Sequence, residues 1–560
     1  MRGSEAVVRM LQQLRVEVVF GLCGDTTLPL YEALHDIDHG IRHVLTRDER
    51  SASYMADAYA RLSGRVGICE GPSGGGATYI LPGVAEANGS SVPLVCLTSD
   101  IDTKDVGRAA LTELDQKGLF GPVTKSTTVP SHGSELPRAL REAFRKATTG
   151  SLGATHVGLP HNVQLDDVDP EEVYIDPLHN TYPAFRTAPE PEAVKKAATL
   201  LREARRPLLV AGAGVLRSGA WDEVTHMAHL LGAPVATSIS GKGSIAEIDP
   251  YSLGVIGSNG GLSHRHDMLR QSDIIFYIGC RQGSVTTERW SLPVNGEKTL
   301  IQLDIDSERI GHNYTTAVGI VADAKLGLAA LLHQIDELLS GTPAGKVSPE
   351  EIAKRREAFM SQVDEFFSDE KPIRPERFLS ELFQLLPEKA VICADAGTPC
   401  PYLSAYYQLP QRGRWFVTPR AHGALGYALP AVCGAYFARP DAGRVLGVMG
   451  DGSFGVSAGE LETLVRLNLP VTLIVLNNAS YGWIKAGQKS EGGKYYSVDF
   501  SESNHAKIAE AYGMRGLRVE SPQELRTALK EGLAGDGPVL LDIVVQQLQE
   551  ARAPVSKWVA

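Results

Sequence analysis

Residues 444–478 read RVLGVMGDGSFGVSAGELETLVRLNLPVTLIVLNN, and their order decides the fold. Arg444–Met449 is an almost continuous apolar run of strand length, the pattern of a strand buried on both faces. Gly450-Asp451-Gly452 predicts a tight turn at its C-terminal end. Leu461, Leu464 and Val465 then recur at i, i+3 and i+4, which predicts an amphipathic helix, and Asn468-Leu-Pro470 stops it. Val471–Leu476 is a second buried strand, closed by Asn477-Asn478. Strand, crossover helix and strand make a βαβ unit whose right-handed connection would bring Asp451 and Asn478 to one sheet edge. Ligands of open α/β sheets bind at that edge.

Outward from this unit the same rhythm repeats. Arg65–Cys69, Pro93–Leu97, Pro207–Val210, Asp273–Ile278 and Ala390–Ala394 are further short apolar runs set between helical stretches. The fold class is therefore α/β, with doubly wound parallel sheets. Two stretches rich in Pro, Gly and charge, residues 166–191 and 341–375, divide the chain. The expected domains are residues 1–168, 188–342 and 370–548. Gly71-Pro-Ser-Gly-Gly-Gly76 in the first and Gly450–Gly455 in the third both place a Gly-rich turn between strand and helix, which suggests a duplicated architecture. Helix starts are expected at Pro191-Glu192 and over Pro349–Phe359.

Composition narrows the function. The 560 residues are 43% hydrophobic and 22% charged, which provides for several cores. A net charge of −11 argues against a nucleic-acid binder. No apolar run approaches the ~20 residues of a membrane span, and the N-terminus lacks the order of a signal peptide. Seven scattered cysteines without a CxxC pair read as buried thiols in a reducing compartment, so the expected location is cytoplasmic. The expectation is a large enzyme with no nucleic-acid or membrane partner.

At the Asp451 edge, one carboxylate, the Asn478 amide oxygen and a backbone carbonyl just beyond, at Ser480, form a partial oxygen shell. Mg²⁺ takes such ligands and completes its octahedron with phosphate and water, so the pattern reads as a magnesium-diphosphate anchor. Gly450-Asp-Gly452 followed by Asn477-Asn478, with 27 positions from Asp451 to Asn478, resembles the signature of thiamine-diphosphate-dependent enzymes. Three sheet domains (pyrimidine-binding, central and diphosphate-binding) are what that resemblance implies. The segment Leu45–Arg61 is similar to the family's strand-to-helix turn bearing the catalytic glutamate, which would be Glu49, with Asp48 in the place of the usual His. Locally, Asp48 reads as an N-cap and Glu49 as the first helical residue. Arg420-Ala-His-Gly-Ala-Leu-Gly-Tyr-Ala-Leu-Pro430 resembles the turn whose Gly423 carbonyl meets the aminopyrimidine and whose Leu425 bends the cofactor. The resemblance also assigns Gly397, Thr398, Gly450, Gly452, Ser453, Tyr481 and Gly482 to the cofactor. Asp451, Asn478 and Ser480 go to the metal.

The rest of the chain resembles the acetohydroxyacid (acetolactate) synthase and 2-oxo-acid decarboxylase branch. It implies a lyase or transferase that decarboxylates a 2-oxo acid and then protonates the fragment or joins it to a second carbonyl. Sites between subunits imply a homodimer or homotetramer. Cys23, Thr112 and Trp483 are candidate substrate contacts. The branch's Phe-Gln is Leu111-Thr112 here, and Gln282-Gly-Ser-Val285 replaces the segment carrying an acceptor-gripping arginine. That loss favours an aldehyde acceptor or plain decarboxylation, unless Arg289 or Lys485 compensates. In the central domain Arg217 replaces the third glycine of a dinucleotide fingerprint begun by Gly212 and Gly214. FAD is thus possible but not favoured, with Gly257–Gly261 and Arg281 as its contacts. His264 and His266, at i, i+2, read as surface residues. The alternatives are a 2-hydroxyacyl-CoA or oxalyl-CoA lyase, for which the C-terminus offers only Arg552 and Lys557, and a non-catalytic homologue, which should lack Glu49, Asp451 or Asn478.

Overall fold

The computed structural model describes residues 1–339, 346–551 and 553–557, and three parallel six-stranded sheets follow one another along them. The first holds β1 (Val18–Gly21), β2 (Arg42–Leu45), β3 (Gly67–Gly71), β4 (Leu94–Asp100), β5 (Ser126–Thr128) and β6 (Ala154–Pro160) in the order β2-β1-β3-β4-β6-β5. The central sheet holds β7 (Pro207–Ala211), β8 (Val235–Thr237), β9 (Ser252–Val255), β10 (Ile274–Ile278), β11 (Thr299–Asp304) and β12 (Val318–Val321), ordered β12-β11-β10-β7-β8-β9. The third holds β13 (Ala390–Ala394), β14 (Phe416–Val417), β15 (Arg444–Gly450), β16 (Val471–Asn477), β17 (Arg515–Val519) and β18 (Val539–Val544), ordered β14-β13-β15-β16-β18-β17. Counted from its own first strand, the third sheet repeats the first, which bears out the duplication. The central sheet has the other doubly wound order, 3-2-1-4-5-6.

Each unit expected from sequence contains one sheet, and the end of the second, residue 342, lies outside the described residues. The expected strands form within three residues of their predicted bounds, and the helix expected from Pro349 runs to Gln362. Among the described residues no helix is long and apolar enough to cross a membrane.

First and third sheets are joined by two buried helices. Helix Glu49–Ser63 is buried at every position but Arg50 and Ser63, and helix Ala428–Ala438 lies against it. Its small residues let backbone meet backbone. A Cβ on Gly434 would stand 2.1 Å from the Met55 carbonyl oxygen, and one on Gly67 of β3 2.1 Å from that of Ala56. Nothing larger than glycine fits at either contact.

Ionic pairing crosses the same boundary. Arg61 donates to Asp57 at 2.7 Å, to Glu86 at 2.8 Å and to the Thr418 carbonyl at 3.3 Å, while the Tyr427 hydroxyl donates to Asp57 at 2.6 Å. Buried charges are tolerated because each has a partner.

Three expectations are corrected. Gly450-Asp-Gly452 is not a free turn: Asp451 begins a helix, Asp451–Ser457, directly after β15. His264 and His266 are buried, not at the surface. They open helix Ser263–Gln271 beneath the Gly257–Gly261 loop, where His266 Nε2 accepts from the Gly257 N–H at 3.1 Å. Six of the seven cysteines are buried, but Cys23 is exposed because it follows the end of β1 into a loop.

Candidate active site

Strand β15 delivers Asp451 and β16 delivers Asn478 to the C-terminal edge of the third sheet, with Gly450 in register with Leu476. The Asn478 N–H donates to Asp451 Oδ2 at 3.0 Å and the Gly452 N–H to Oδ1 at 2.8 Å. The Ser480 hydroxyl donates to Asn478 Oδ1 at 3.1 Å. The two asparagines divide their work. The Asn477 amide turns into the domain and donates to Asp542 Oδ1 at 2.9 Å, which leaves Asn478 facing Asp451. Burial pushes the Asp451 carboxyl above its usual range, against the N–H groups of Gly452, Asn478 and Ala479 that hold it down. No cationic side chain pairs with it among the described ion pairs. A buried carboxylate beside an amide oxygen suits a hard cation.

A cavity of about 440 Å³ opens over this edge. Gly397, Thr398, Gly423, Leu425, Gly450, Asp451, Gly452, Ser453, Ser480, Tyr481, Gly482 and Trp483 line it, so most of the residues expected at the cofactor lie together. Asn478 sits behind Gly482: a Cβ there would be 2.9 Å from its Nδ2. A Cβ on Gly397, Gly423 or Gly450 would meet nothing within 4 Å, so backbone borders open space at all three. Gly397 and Gly423 also sit at φ of +84° and +75°, which side chains disfavour. A diphosphate or ring held against backbone N–H and carbonyl groups fits this cradle.

The Gly423 loop is tied down from the first domain. The Glu86 carboxylate accepts from the N–H groups of Arg420 (2.9 Å), Ala421 (2.9 Å) and His422 (2.8 Å) and from the Ser90 hydroxyl (2.7 Å), and it pairs with Arg61. Burial alone would raise its pKa, but Arg61 and these donors hold it below the usual range. No motif pointed to Glu86. The three backbone N–H groups it ties lie more than 300 positions away in sequence.

Glu49 lies elsewhere. It is the first residue of its helix, and Asp48 caps the helix by accepting from the Arg50 N–H at 2.8 Å. It packs against the Gly-rich turn after β3, and a Cβ on Gly76 would be 3.0 Å from Glu49 Oε1. Burial first, then the charges of Asp48 and Glu70, push its carboxyl above the usual range. Thr112, at φ +66°, shares a hydrogen bond of 2.8 Å with Ser73 in the same turn, and Cys23 leaves β1 nearby in the fold. Glu49, Cys23 and Thr112 thus belong to the first sheet's edge, whereas Trp483 belongs to the cavity, which none of those three lines. Both faces carry exposed apolar side chains: Tyr79, Val106 and Leu111 on the first, Tyr481, Ile484 and Tyr496 on the third.

Two residues line the cavity that were not expected there. Asn259 reaches it from the central domain, because Arg265 donates to the Gly260 carbonyl at 3.2 Å and to that of Ala405 at 2.8 Å, binding the loop to the third domain. Arg420 stood inside a quoted motif without a role. Arg281 instead lines a cleft at the central sheet's edge with Gly212 and Gly279, so the two expected flavin contacts are split. Of the candidate compensating cations, Arg289 is exposed. Lys485 is engaged by Asp499 at 2.6 Å and Gln547 at 2.8 Å. Arg552 lies outside the described residues, and Lys557 is exposed.

Comparison with known proteins agrees with this layout. The N-terminal TPP binding domain of thiamine pyrophosphate enzymes matches residues 1–119, the central domain 194–331 and the C-terminal TPP binding domain 395–543. A probable acetolactate synthase large subunit of Methanococcus aeolicus is 35% identical, over 97% of this chain and 92% of its own length. One from Methanocaldococcus jannaschii is 34% identical over the same shares, and the Escherichia coli isozyme 3 large subunit is 30% identical over 95% and 92%. A match of that extent, spanning all three sheets, makes the chain a member of the thiamine pyrophosphate enzyme family, similar to acetolactate synthase large subunits.

Proposed function

We propose that the protein is a thiamine-diphosphate-dependent, Mg²⁺-requiring enzyme that decarboxylates a 2-oxo acid and joins the remaining fragment to a second carbonyl compound. The carrying observation is the cavity lined by the buried Asp451, which is in none of the described ion pairs, beside glycines that open backbone to it. When bound, thiamine diphosphate supplies a nucleophilic carbon and an electron sink.

Asp451, the Asn478 side-chain oxygen and the Ser480 carbonyl would hold Mg²⁺, whose charge would offset that of a diphosphate. Gly397, Thr398, Gly450, Gly452 and Ser453 would border that diphosphate. The Gly423 carbonyl, Leu425, Tyr481 and Gly482 would fix the rings, and the Glu86 tie keeps Gly423 and Leu425 in place. Glu49 holds or moves a proton at its carboxyl, and burial, which raises its pKa above the usual carboxylate range, favours the protonated form needed for that role. Trp483 and Ile484 wall the substrate space and exclude water.

Because Glu49 does not line the cavity of its own chain, a complete site needs a second copy, and the exposed apolar residues around both faces support a homodimer or homotetramer. Seven free cysteines fit a reducing, cytoplasmic setting. The reading requires no flavin. It is tested by incubating the purified protein with thiamine diphosphate and Mg²⁺ across a panel of 2-oxo acids, with and without aldehydes, and following CO₂ release and products. Release that depends on both additions is expected. None from any member of the panel refutes the reading.

A further inference from the structure

The cavity over the Asp451 edge contains a cation that the cofactor anchor does not use. Arg420 lines that cavity and also the neighbouring cleft of about 190 Å³ along Gly279–Thr286. Its backbone is fixed, since the N–H groups of Arg420, Ala421 and His422 all donate to Glu86. Its guanidinium is only lightly engaged. Nη1 approaches the Cys400 sulfur at 3.6 Å, a weak acceptor, and none of the described ion pairs includes it. A half-buried guanidinium facing a cavity without a counter-charge is a site for an anion, and its planar fork suits a carboxylate.

Asn259 supplies a second, independent observation. It lines the same cavity, is 4% exposed, and its Oδ1 is buried without a hydrogen-bond partner. Its backbone is pinned on both sides, by the Gly260 N–H donating to the Pro554 carbonyl at 2.8 Å and the Ser556 N–H donating to that of Ser258 at 3.0 Å. A pinned amide oxygen without a partner is preorganised to accept from an N–H or O–H group, such as a hydroxyl of the bound ligand. Asp451, the other charged group of the lining, belongs to the metal end, and Pro401, Leu425, Trp483 and Ile484 make the remaining wall largely apolar.

We propose that Arg420 is the specificity-determining group for a substrate carboxylate that survives the reaction, with the Asn259 oxygen in the same cavity left to accept from a hydroxyl of that ligand. The carboxylate lost as CO₂ cannot be its lasting ligand. The retained one comes either from a second 2-oxo acid acting as acceptor or from a distal carboxylate on a dicarboxylic donor. The chain thereby recovers, from its third domain, the acceptor cation missing from Gln282–Val285. This inference rests on the proposed 2-oxo-acid chemistry.

The test compares the wild-type enzyme with Arg420→Gln and Arg420→Lys, loaded with thiamine diphosphate and Mg²⁺. One arm measures kcat/KM for 2-oxo acid against aldehyde acceptors, the other for dicarboxylic against monocarboxylic donors. In Arg420→Gln, the charged-to-uncharged ratio should fall about 10- to 100-fold in one arm, which identifies the source, and Arg420→Lys should recover part of it. Ratios that stay within about 2-fold in both arms overturn the proposal. So does a matching loss of cofactor affinity by calorimetry, which would make Arg420 a diphosphate ligand. If the wild type releases no CO₂ from any 2-oxo acid, the reaction assignment fails by itself. Calorimetric titration with oxamate then decides Arg420: binding lost in Arg420→Gln supports the carboxylate site, and unchanged binding refutes it.

Discussion

The first and third sheets have the same strand order and carry different chemistry at the same edge. In the third, the residue after β15 is Asp451, an acid held by backbone N–H groups in front of an open cradle. In the first, the corresponding turn after β3 holds no acid facing a cavity. Glu49 instead enters from the turn after β2 and packs over Gly71 and Gly76. On the proposed reading, one scaffold used twice separates anchoring from proton handling, and single substitutions should break the two tasks apart.

The largest effect is expected at the proton-handling half. Glu49→Gln should lower turnover by about 10²- to 10⁴-fold while leaving the Kd for thiamine diphosphate within a few-fold, read by steady-state assay and calorimetry. Equal losses in both would erase the division of labour. At the anchoring half the signature inverts. Asp451→Ala should weaken Mg²⁺-dependent cofactor binding by about 100-fold or more, with thermal stability without the cofactor little changed. Retained affinity would remove Asp451 from the metal.

A smaller effect sharpens how the halves are coupled. Each lends the other one carboxylate: Glu86 of the first ties the Arg420–His422 loop, and Glu460 of the third accepts from the Arg47 N–H at 2.8 Å. Glu86 has Arg61 beside it and is held low, so its contribution is present above the ordinary carboxylate range and is lost as pH falls through its folded value. Glu460 has no cation partner among its hydrogen bonds, and burial pushes its pKa up to about 7. Its protonated form is favoured by folding. Stability from Glu460 is therefore full below about 4.5 and declines as pH rises through about 7. Glu460→Gln should flatten this decline by on the order of 1–3 kcal/mol between pH 5 and 8, seen in paired denaturant melts. A variant that keeps the full decline would place the titration elsewhere.

What the sequence disclosed was what short spacing encodes. The run from β15 to β16 was legible because apolar strands, a crossover helix and two strand-end dipeptides are local signals. Glu49 was legible locally only as the first residue of a helix capped by Asp48, and its role came from the family resemblance. Asn259 and Arg420 were not, because their placement depends on distant packing. A Cβ on Gly260 would lie 2.5 Å from that of Ser404, and this close approach carries Asn259 into the third domain's cavity. The same folding-over buries His264 and His266, whose spacing along a helix said nothing about the loop above them. Cys23 escaped for the opposite reason: an apolar residue type at a strand end is left outside by the loop that follows.

The Glu86 tie also bears on how the protein matures. The loop presenting Gly423 and Leu425 belongs to the third domain, yet its three consecutive amides find their acceptor on the first. Without the first domain in place, those amides would lose this acceptor and the loop would lose its tie. If the proposed assignments hold, a partly folded or clipped chain would keep the proposed metal ligands and still lack a fixed turn for the cofactor's rings, so tight cofactor capture would report that the chain's two ends have found each other.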